Sequence, residues 1–276
     1  MEMKFERNTF YKRLKSMLNV DMKRMFISRF FYIMLGISVV VPILILVMTT
    51  MMDGTVSVNP QTGEETVIEA FDNTWQIIGA VIEETTQTGT QNPSAAMSMD
   101  MMSMCNINLL YFGVAVLVCL FTADDFRSGY AKNLFTVRAI KTDYVISKTA
   151  VCTLGGALMI LGFFIGTMLG GAISGLSFEM TGFDTINLIM CLISKMLLIS
   201  VFVPIYLLMS VIAKQKLWLS LLLSLMTGMF LFMMIPMLSP LNATVVNVLL
   251  CLAGGVLIAL GFGAISNQIL KKTSLI

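Results

Sequence analysis

Six long apolar segments divide the sequence, and they constrain its fold more than any other feature. A helix needs about 20 predominantly apolar residues to cross the hydrocarbon core of a bilayer, and each segment approaches or exceeds that length. Charged residues make up 12% of the chain, against about 25% in soluble domains. We therefore predict an all-α integral membrane protein with six transmembrane helices. These span residues 30–52, 105–123, 149–176, 186–212, 217–235 and 244–269.

In this topology the basic residues lie mostly on one side of the membrane and most of the acidic residues lie on the other. With a cytoplasmic N-terminus, 17 of the 18 Lys and Arg residues lie on the cytoplasmic side and 10 of the 16 Asp and Glu residues lie outside. Loops rich in Lys and Arg are typically cytoplasmic, so this distribution supports the orientation. We expect a multi-pass protein of the cell membrane with both termini cytoplasmic. Residues 149–276 would hold the last four spans, joined by short loops.

Residues 1–29 precede the first span and carry eight basic residues. Apolar residues recur at steps of three and four from Phe10 to Phe26, which predicts an amphipathic helix. A helix of this kind is typical of a segment that lies on the cytoplasmic surface of a bilayer. Its polar face is predicted to carry Lys12, Arg13, Lys15, Lys23 and Arg24.

Residues 53–104 form a long polar segment with eight acidic residues and no Lys or Arg, so we expect them outside the cell. The pattern of 55–63 is typical of a strand that enters a turn. We predict a small extracellular cap with a helix from about 66 to 85 that packs on the ends of the spans. A soluble ligand-binding domain is the alternative, although about 50 residues is small for a core of its own. The apolar stripe of the predicted helix contains Val67, Ile68, Phe71, Trp75, Ile78 and Ile82.

Between the second and third spans, residues 124–148 hold five basic residues against three acidic ones. Within this segment, three apolar residues and one Arg share one face of a helix from about 130 to 140, which predicts a short helix at the membrane surface. An ordinary loop, retained in the cytoplasm by its charge, is the alternative. The shared face contains Ala131, Leu134, Phe135 and Arg138.

Residues of hydrolytic and metal chemistry are scarce. The chain has no His, which removes the usual general base and the commonest metal ligand. Its five Cys residues are scattered, and no Asp or Glu falls within a predicted span. The phosphate-binding loop G-x-x-x-x-G-K-[ST] does not occur, so any ATP that drives the protein has to bind another chain. We expect no catalytic residue, no metal site and no cofactor in this chain, and no nucleic-acid partner.

Two features of the later spans carry further information. Gly162, Gly166 and Gly170 recur every four residues in the third span. This spacing lets helix backbones approach closely, so close packing is the first interpretation and a sliding helix surface the second. Lys195 is the one charged residue within a predicted span. It either extends to the outer interface, toward Glu179 or Asp184, or contributes to gating or cargo contact.

The order of residue types in 124–148 is similar to that of a cytoplasmic coupling segment. An acidic residue, a Gly, an apolar pair, a basic residue, an aromatic residue and a final Lys follow one another at matching offsets. On these residues the chain resembles the permease subunits of ABC exporters, in the six-span branch that moves drugs, polysaccharides and peptides. The family often has Pro at the position of Arg138 and Gly at that of Ser147, where this chain departs from it. The resemblance implies an ATPase-coupling role for Asp125, Gly129, Leu134, Phe135, Arg138, Lys141, Tyr144 and Lys148.

The same resemblance implies a function and a set of partners. The chain would be a permease paired with a second permease copy and with ABC ATPase subunits that bind ATP and Mg²⁺. The ATPases would dock on residues 124–148 and on the N-terminal helix. The size and order of the spans are similar to those of bacterial exporters of peptide toxins, including the phenol-soluble modulin exporter. This implies export of an amphipathic peptide, or another hydrophobic cargo, by alternating access.

A non-transporting membrane receptor or immunity scaffold, with the extracellular cap as its binding part, is the alternative function. The two functions differ in their partners. An exporter purifies with a stoichiometric ATPase, whereas a scaffold forms a complex that lacks any nucleotide-binding chain.

Overall fold

The computed structural model describes residues 2–58, 65–67, 71–81, 106–137, 141–213, 216–232 and 234–272. Within these ranges the chain forms nine α-helices, two short strands and two 3-10 turns. The helices are α1 (Glu2–Ile27), α2 (Arg29–Met52), α3 (Leu110–Arg127), α4 (Tyr130–Val137), α5 (Thr142–Ser174), α6 (Thr185–Ala213), α7 (Leu217–Phe232), α8 (Ile235–Leu238) and α9 (Val245–Lys272). The strands are β1 (Val56–Val58) and β2 (Glu65–Val67), and the 3-10 turns are Thr74–Ile77 and Ile107–Leu109.

Five helices of the described chain are long and apolar enough to cross a membrane: α2, α3 with the 3-10 turn before it, α5, α6 and α9. The prediction of an all-α membrane protein is therefore confirmed. The fifth predicted span corresponds to α7, which has 16 residues. A helix of that length rises about 24 Å, less than the roughly 30 Å of a hydrocarbon core. The count of six spans stays a prediction.

The two ends of the helix bundle carry different segments. One end bears α1, α4 and the last turn of α9, and we call it the basic face. The other end bears the hairpin of β1 and β2 and the first 3-10 turn, and we call it the acidic face. At the basic face, Ser28 alone separates α1 from α2, and its backbone is extended with φ −67° and ψ 120°.

The glycine stripe of α5 lies directly against α2. A Cβ atom added at Gly166 would collide with the carbonyl oxygen of Val39, and one added at Gly170 would lie 2.9 Å from the Cα of Ile43. The two backbones approach this closely because the stripe has no side chains. The interpretation of the stripe as a packing surface is confirmed.

Helix α6 lies at the centre of the bundle, with α3, α5, α7 and α9 packed around it. Aromatic residues fill the contact between α3 and α6. The rings of Tyr111 and Phe202 have centroids 4.7 Å apart, and those of Phe202 and Tyr206 are 5.8 Å apart. Close aromatic contacts of this kind add to the free energy of apolar burial.

The acidic face differs from the sequence prediction. In place of a helix that starts near residue 66, β2 pairs antiparallel with β1, and a 3-10 turn forms at Thr74–Ile77. The backbone N–H of Thr74 donates to the carbonyl of Ser177 at 3.0 Å, and the Trp75 indole donates to that of Phe178 at 3.1 Å. These hydrogen bonds tie residues 74 and 75 to the loop after α5, so the backbone N–H of Thr74 bonds to that loop and not within a regular helix.

Part of the cap does pack on the ends of the spans, as expected. Trp75, Ile77 and Ile78 are buried, and the Trp75 ring stacks on Phe164 of α5 with centroids 6.0 Å apart. The remainder of the predicted helix, beyond Val81, lies outside the described residues.

Candidate functional site

Four charged side chains from three helices meet at the basic face. Asp21 and Arg24 come from α1, Asp125 from the last turn of α3, and Lys148 from the second turn of α5. We call these four residues the ionic cluster. The two residues of α1 lie more than 100 residues from Asp125 and Lys148, so the cluster forms only when the three helices pack together.

Lys148 lies at the centre of the ionic cluster. Its Nζ is 2.7 Å from Oδ2 of Asp125 and 3.1 Å from Oδ1 of Asp21, and all three side chains are fully buried. The same Nζ lies 3.6 Å from the centre of the Phe121 ring, within range of a cation–π contact. Lys148 therefore joins α5 to both α1 and α3.

Arg24 forms the second link between α1 and α3. It donates to Oδ1 of Asp125 and to Oδ2 of Asp124, the latter at 3.3 Å. Its guanidinium lies 4.0 Å from the centre of the Tyr130 ring, at the start of α4. Burial lowers the pKa of Arg24, but the charge and hydrogen bond of Asp125, together with the charges of Tyr130 and Asp21, outweigh this effect and the pKa is raised. Burial, followed by the charge of Asp21, raises the pKa of Tyr130, so both groups stay protonated at neutral pH.

Two hydroxyl groups complete the surroundings of the buried carboxylates. The hydroxyl of Tyr144 donates to Oδ2 of Asp125 at 2.9 Å, and the hydroxyl of Ser147 donates to Oδ2 of Asp21 at 2.6 Å. Ser147 stands where the resembled family often has Gly. This difference from the family has a physical reason, because the hydroxyl of Ser147 donates a hydrogen bond that a Gly could not supply to the buried carboxylate of Asp21.

The ionic cluster has no net formal charge, since two acids face two bases. An unpaired charge inside a protein costs several kcal/mol, and removal of one partner from a buried pair typically costs about 3–5 kcal/mol. The cluster therefore resists any movement that separates α1, α3 and α5 from one another. Its acids are neutralised by cationic side chains, and nowhere in the described ranges could three or more His, Cys, Asp or Glu residues hold a metal ion.

Helix α4 lies beside the ionic cluster with one buried side and one exposed side. Ala131 is fully buried, and Leu134 and Phe135 are half-buried against the core. The ring of Phe135 meets that of Tyr144 edge-on, with centroids 5.3 Å apart. The opposite side of α4 is exposed and polar. We call it the outer row, and it consists of Lys132, Asn133 and Thr136.

A left-handed glycine separates α3 from α4. Gly129 has φ +74°, a conformation that residues with a Cβ adopt only with strain. Its carbonyl accepts a hydrogen bond from the N–H of Asn133 at 3.0 Å, which starts α4. Gly129 thus sets the angle at which α4 leaves α3.

The end of α9 is also tied to this region. The Lys141 ammonium donates to the carbonyl of Leu270 and lies 5.4 Å from the centre of the Phe135 ring. Arg138 lies outside the described residues, so its predicted role stays a prediction.

The structure separates the predicted coupling residues by position. Asp125, Tyr144 and Lys148 are buried inside the chain, so within this fold they cannot present themselves to a separate protein. Tyr144 contacts α4 through the ring of Phe135, whereas Asp125 and Lys148 join α3 to α5. Leu134 and Phe135 lie on the buried side of α4. The outer row is the part of α4 that a partner could contact.

Lys195 does not extend to the outer interface. Its side chain is fully buried, and Nζ donates to Oδ1 of Asn108 at 3.2 Å and to Oγ of Ser239 at 3.1 Å. The expected pairing with Glu179 or Asp184 is therefore wrong, because polar acceptors on neighbouring elements satisfy the ammonium inside the bundle. Lys195 links α6 to the 3-10 turn before α3 and to the end of α8.

Sequence reasoning missed the contribution of α1 to the site. Arg24 was expected on the exposed polar face, whereas its guanidinium points inward to α3. Asp21 was the available signal. It lies four residues after Met17 and four before Met25, both buried, so an acid interrupts an otherwise apolar stripe.

A bundle of long apolar helices, with an N-terminal helix joined to α3 and α5 by ion pairs, defines an integral membrane protein. The family model of the ABC-2 family transporter protein matches residues 22–231. The match covers most of the chain, and the protein belongs to this family, whose members are membrane permeases of ABC transporters. Membership implies a partner ATPase subunit. No curated protein and no solved structure gave a significant match.

Proposed function

We propose that this permease exports amphipathic peptides, driven by an ATPase that docks on α4 and α1. The observation that carries the proposal is the ionic cluster, which joins α1, α3 and α5 directly beside α4. Ala131, Leu134 and Phe135 form the buried side of α4 against the hydrophobic core, and the Tyr130 ring at the start of α4 lies 4.0 Å from the guanidinium of Arg24. The outer row is exposed on the opposite side of α4.

A force applied to α4 would be transmitted to α1, α3 and α5, the helices that the ionic cluster joins. Separating Lys148 from Asp21 or Asp125 would leave a buried charge without its partner, which costs about 3–5 kcal/mol. Movement of α1, α3 and α5 as one unit avoids that cost. Because α5 contacts α2 through Gly166 and Gly170, α2 would follow. Closure of the ATPases on ATP and Mg²⁺ would in this way shift the population between two packings of the bundle.

The sidedness of the proposal comes from charge. Loops retained in the cytoplasm carry an excess of Lys and Arg, and 17 of the 18 basic residues fall on the cytoplasmic side in the predicted six-span topology. We therefore place the basic face, with both termini, in the cytoplasm. The ATPase belongs on the same side, where ATP is available.

Cargo and assembly rest on the resemblance noted above. The order of spans is similar to that of bacterial peptide exporters, which favours an amphipathic peptide over a drug or a lipid-linked glycan. Two ATPases close on each other, so a second permease copy would complete the assembly. Membership of a family of permeases favours transport over a receptor or scaffold role.

Site-directed cross-linking tests the docking surface. Asn133→Cys places a thiol on the outer row, and Thr181→Cys places one at an exposed position of the acidic face. We expect the purified complex to cross-link to the ATPase through Asn133→Cys and not through Thr181→Cys. Equal cross-linking of both, or cross-linking of Thr181→Cys alone, would show that the ATPase does not dock on α4.

Transport is tested in inside-out membrane vesicles. We expect an amphipathic peptide to accumulate in the vesicles only when ATP, the permease and its ATPase are all present. Replacing all three outer-row residues by Ala should reduce both accumulation and peptide-stimulated ATP hydrolysis. A complex that contains no ATPase, or uptake that is independent of ATP, would instead support the scaffold function.

A further inference from the structure

A cavity of about 350 Å³ opens at the basic face between the α1–α2 junction and the end of α3. It is separate from the outer row of α4. Its walls have two distinct parts, one polar and one apolar, and they lie at different depths in the bundle.

The polar part of the cavity is formed by Arg24, Ser28, Asp124 and Arg127. The carboxylate of Asp124 is already engaged by Arg24 at 3.3 Å. In the part of the chain that the structure describes, Arg127 forms no ion pair, and its side chain is exposed. The polar lining of the cavity therefore consists of two Arg side chains, one carboxylate and a hydroxyl group, and Arg127 is the one of these two cations that forms no ion pair with a described residue.

The apolar part of the cavity is formed chiefly by Phe30 of α2 and by Leu117, Leu120 and Phe121 of α3. Leu117 precedes Arg127 by ten residues, which corresponds to about 15 Å along a helix. The cavity therefore runs from the charged level of the basic face well into the membrane-spanning part of α3.

The apolar surface continues beyond the cavity along α2. Ile33 and Ile37 follow Phe30 at helical spacing, so the three residues share one side of α2. Both isoleucines are largely exposed, at 59% and 48% of their surface. An acyl chain that leaves the cavity would find this apolar side of α2 directly in its path.

We propose that this cavity binds an anionic phospholipid of the leaflet at the basic face. The phosphate would lie between Arg127 and Ser28, and the start of one acyl chain would lie against Leu117 and Leu120. Basic cavities at the ends of membrane helices are suited to anionic headgroups. A free phosphate ion would use the polar part alone, whereas a phospholipid uses both parts, and the apolar depth of the cavity favours the phospholipid. This site is independent of cargo and of the direction of transport.

Native mass spectrometry of the full-length protein tests the site, with phosphatidylglycerol and phosphatidylcholine offered in equal amounts. We expect preferential retention of phosphatidylglycerol. Arg127→Gln should reduce it about five-fold, the usual contribution of one basic residue at an anionic membrane surface. Lys216→Gln is the matched control, because Lys216 is an exposed lysine that does not line the cavity, and it should leave retention unchanged.

A second variant separates the two parts of the cavity. Leu120→Trp fills the apolar part without a change in charge, and we expect it to reduce phosphatidylglycerol retention as well. Excess inorganic phosphate should not displace the lipid. Equal retention of the two lipids, no effect of Arg127→Gln, or displacement by phosphate would each overturn the proposal, the last by showing a free-phosphate site. If Leu120→Trp does not fold, the Arg127→Gln and Lys216→Gln comparison still decides the matter.

Discussion

Replacing Lys148 by Met removes the cation that joins Asp21 to Asp125 while it preserves most of the side-chain volume. Asp125 keeps Arg24 and the hydroxyl of Tyr144, but within the described chain Asp21 keeps only the hydrogen bond from the Ser147 hydroxyl. Removal of one partner from a buried ion pair costs about 3–5 kcal/mol. We expect Lys148→Met to lower the free energy of unfolding by that amount.

A second substitution tells whether this loss comes from charge. Asp21→Asn alone leaves Lys148 paired with Asp125, so its cost should be smaller, about 1–3 kcal/mol. In the double variant Asp21→Asn/Lys148→Met the orphaned carboxylate is gone, and Asn can still accept from Ser147. We expect the double variant to be less destabilised than the sum of the single variants by at least about 1.5 kcal/mol.

Titration with SDS in mixed micelles, followed by circular dichroism, measures these free energies. Lys216→Met is the control for loss of an exposed lysine and should change stability by less than about 0.5 kcal/mol. Additive effects of the two single variants would show that Lys148 and Asp21 do not interact. A Lys148→Met variant as stable as the parent chain would refute the buried cluster altogether.

Two further predictions follow from positions described above. Gly166→Ala should destabilise the protein by about 1–3 kcal/mol, because the new Cβ collides with the α2 backbone; Gly254→Ala, where a Cβ meets nothing within 4 Å, should be neutral or slightly stabilising in the same SDS titration. Lys195→Met should cost about 1–3 kcal/mol, since Asn108 and Ser239 lose a buried partner. Loss of peptide transport in Lys195→Met at unchanged stability would assign it a role in gating, and a variant that matches the parent in both assays would show that neither role holds.

The main helices could be predicted from the sequence because membrane spans are encoded locally. A run of apolar residues has to satisfy its own backbone hydrogen bonds in a bilayer, and only a helix does this within one segment. The predicted first span, 30–52, and the helix α2, Arg29–Met52, differ by one residue at one end. The surface helix α4 is local in the same sense, since its apolar residues recur at helical spacing.

The ionic cluster could not be predicted, because its two residues from α1 lie more than 100 residues from their partners Asp125 and Lys148. No local pattern pairs Asp21 with Lys148, and the positive charge of α1 suggested a solvated face. The predicted extension of Lys195 to the outer interface was wrong for a related reason. Its distance from the end of the span favoured extension to the interface, whereas its acceptors come from Asn108 and Ser239 on other elements.

A single residue, Ser28, joins the N-terminal helix α1 to the first membrane span α2. Two torsion angles at Ser28 set the direction of a helix of 26 residues, so its far end, about 39 Å away, would move by about 7 Å for a tilt of about 10°. Such a tilt would break the ion pair of Arg13 with Asp143 and also the pairs that Asp21 and Arg24 form with α5 and α3, so α1 moves together with those two helices. A protein bound at the beginning of α1 would therefore displace α3 and α5 along with the first membrane span, and not that span alone.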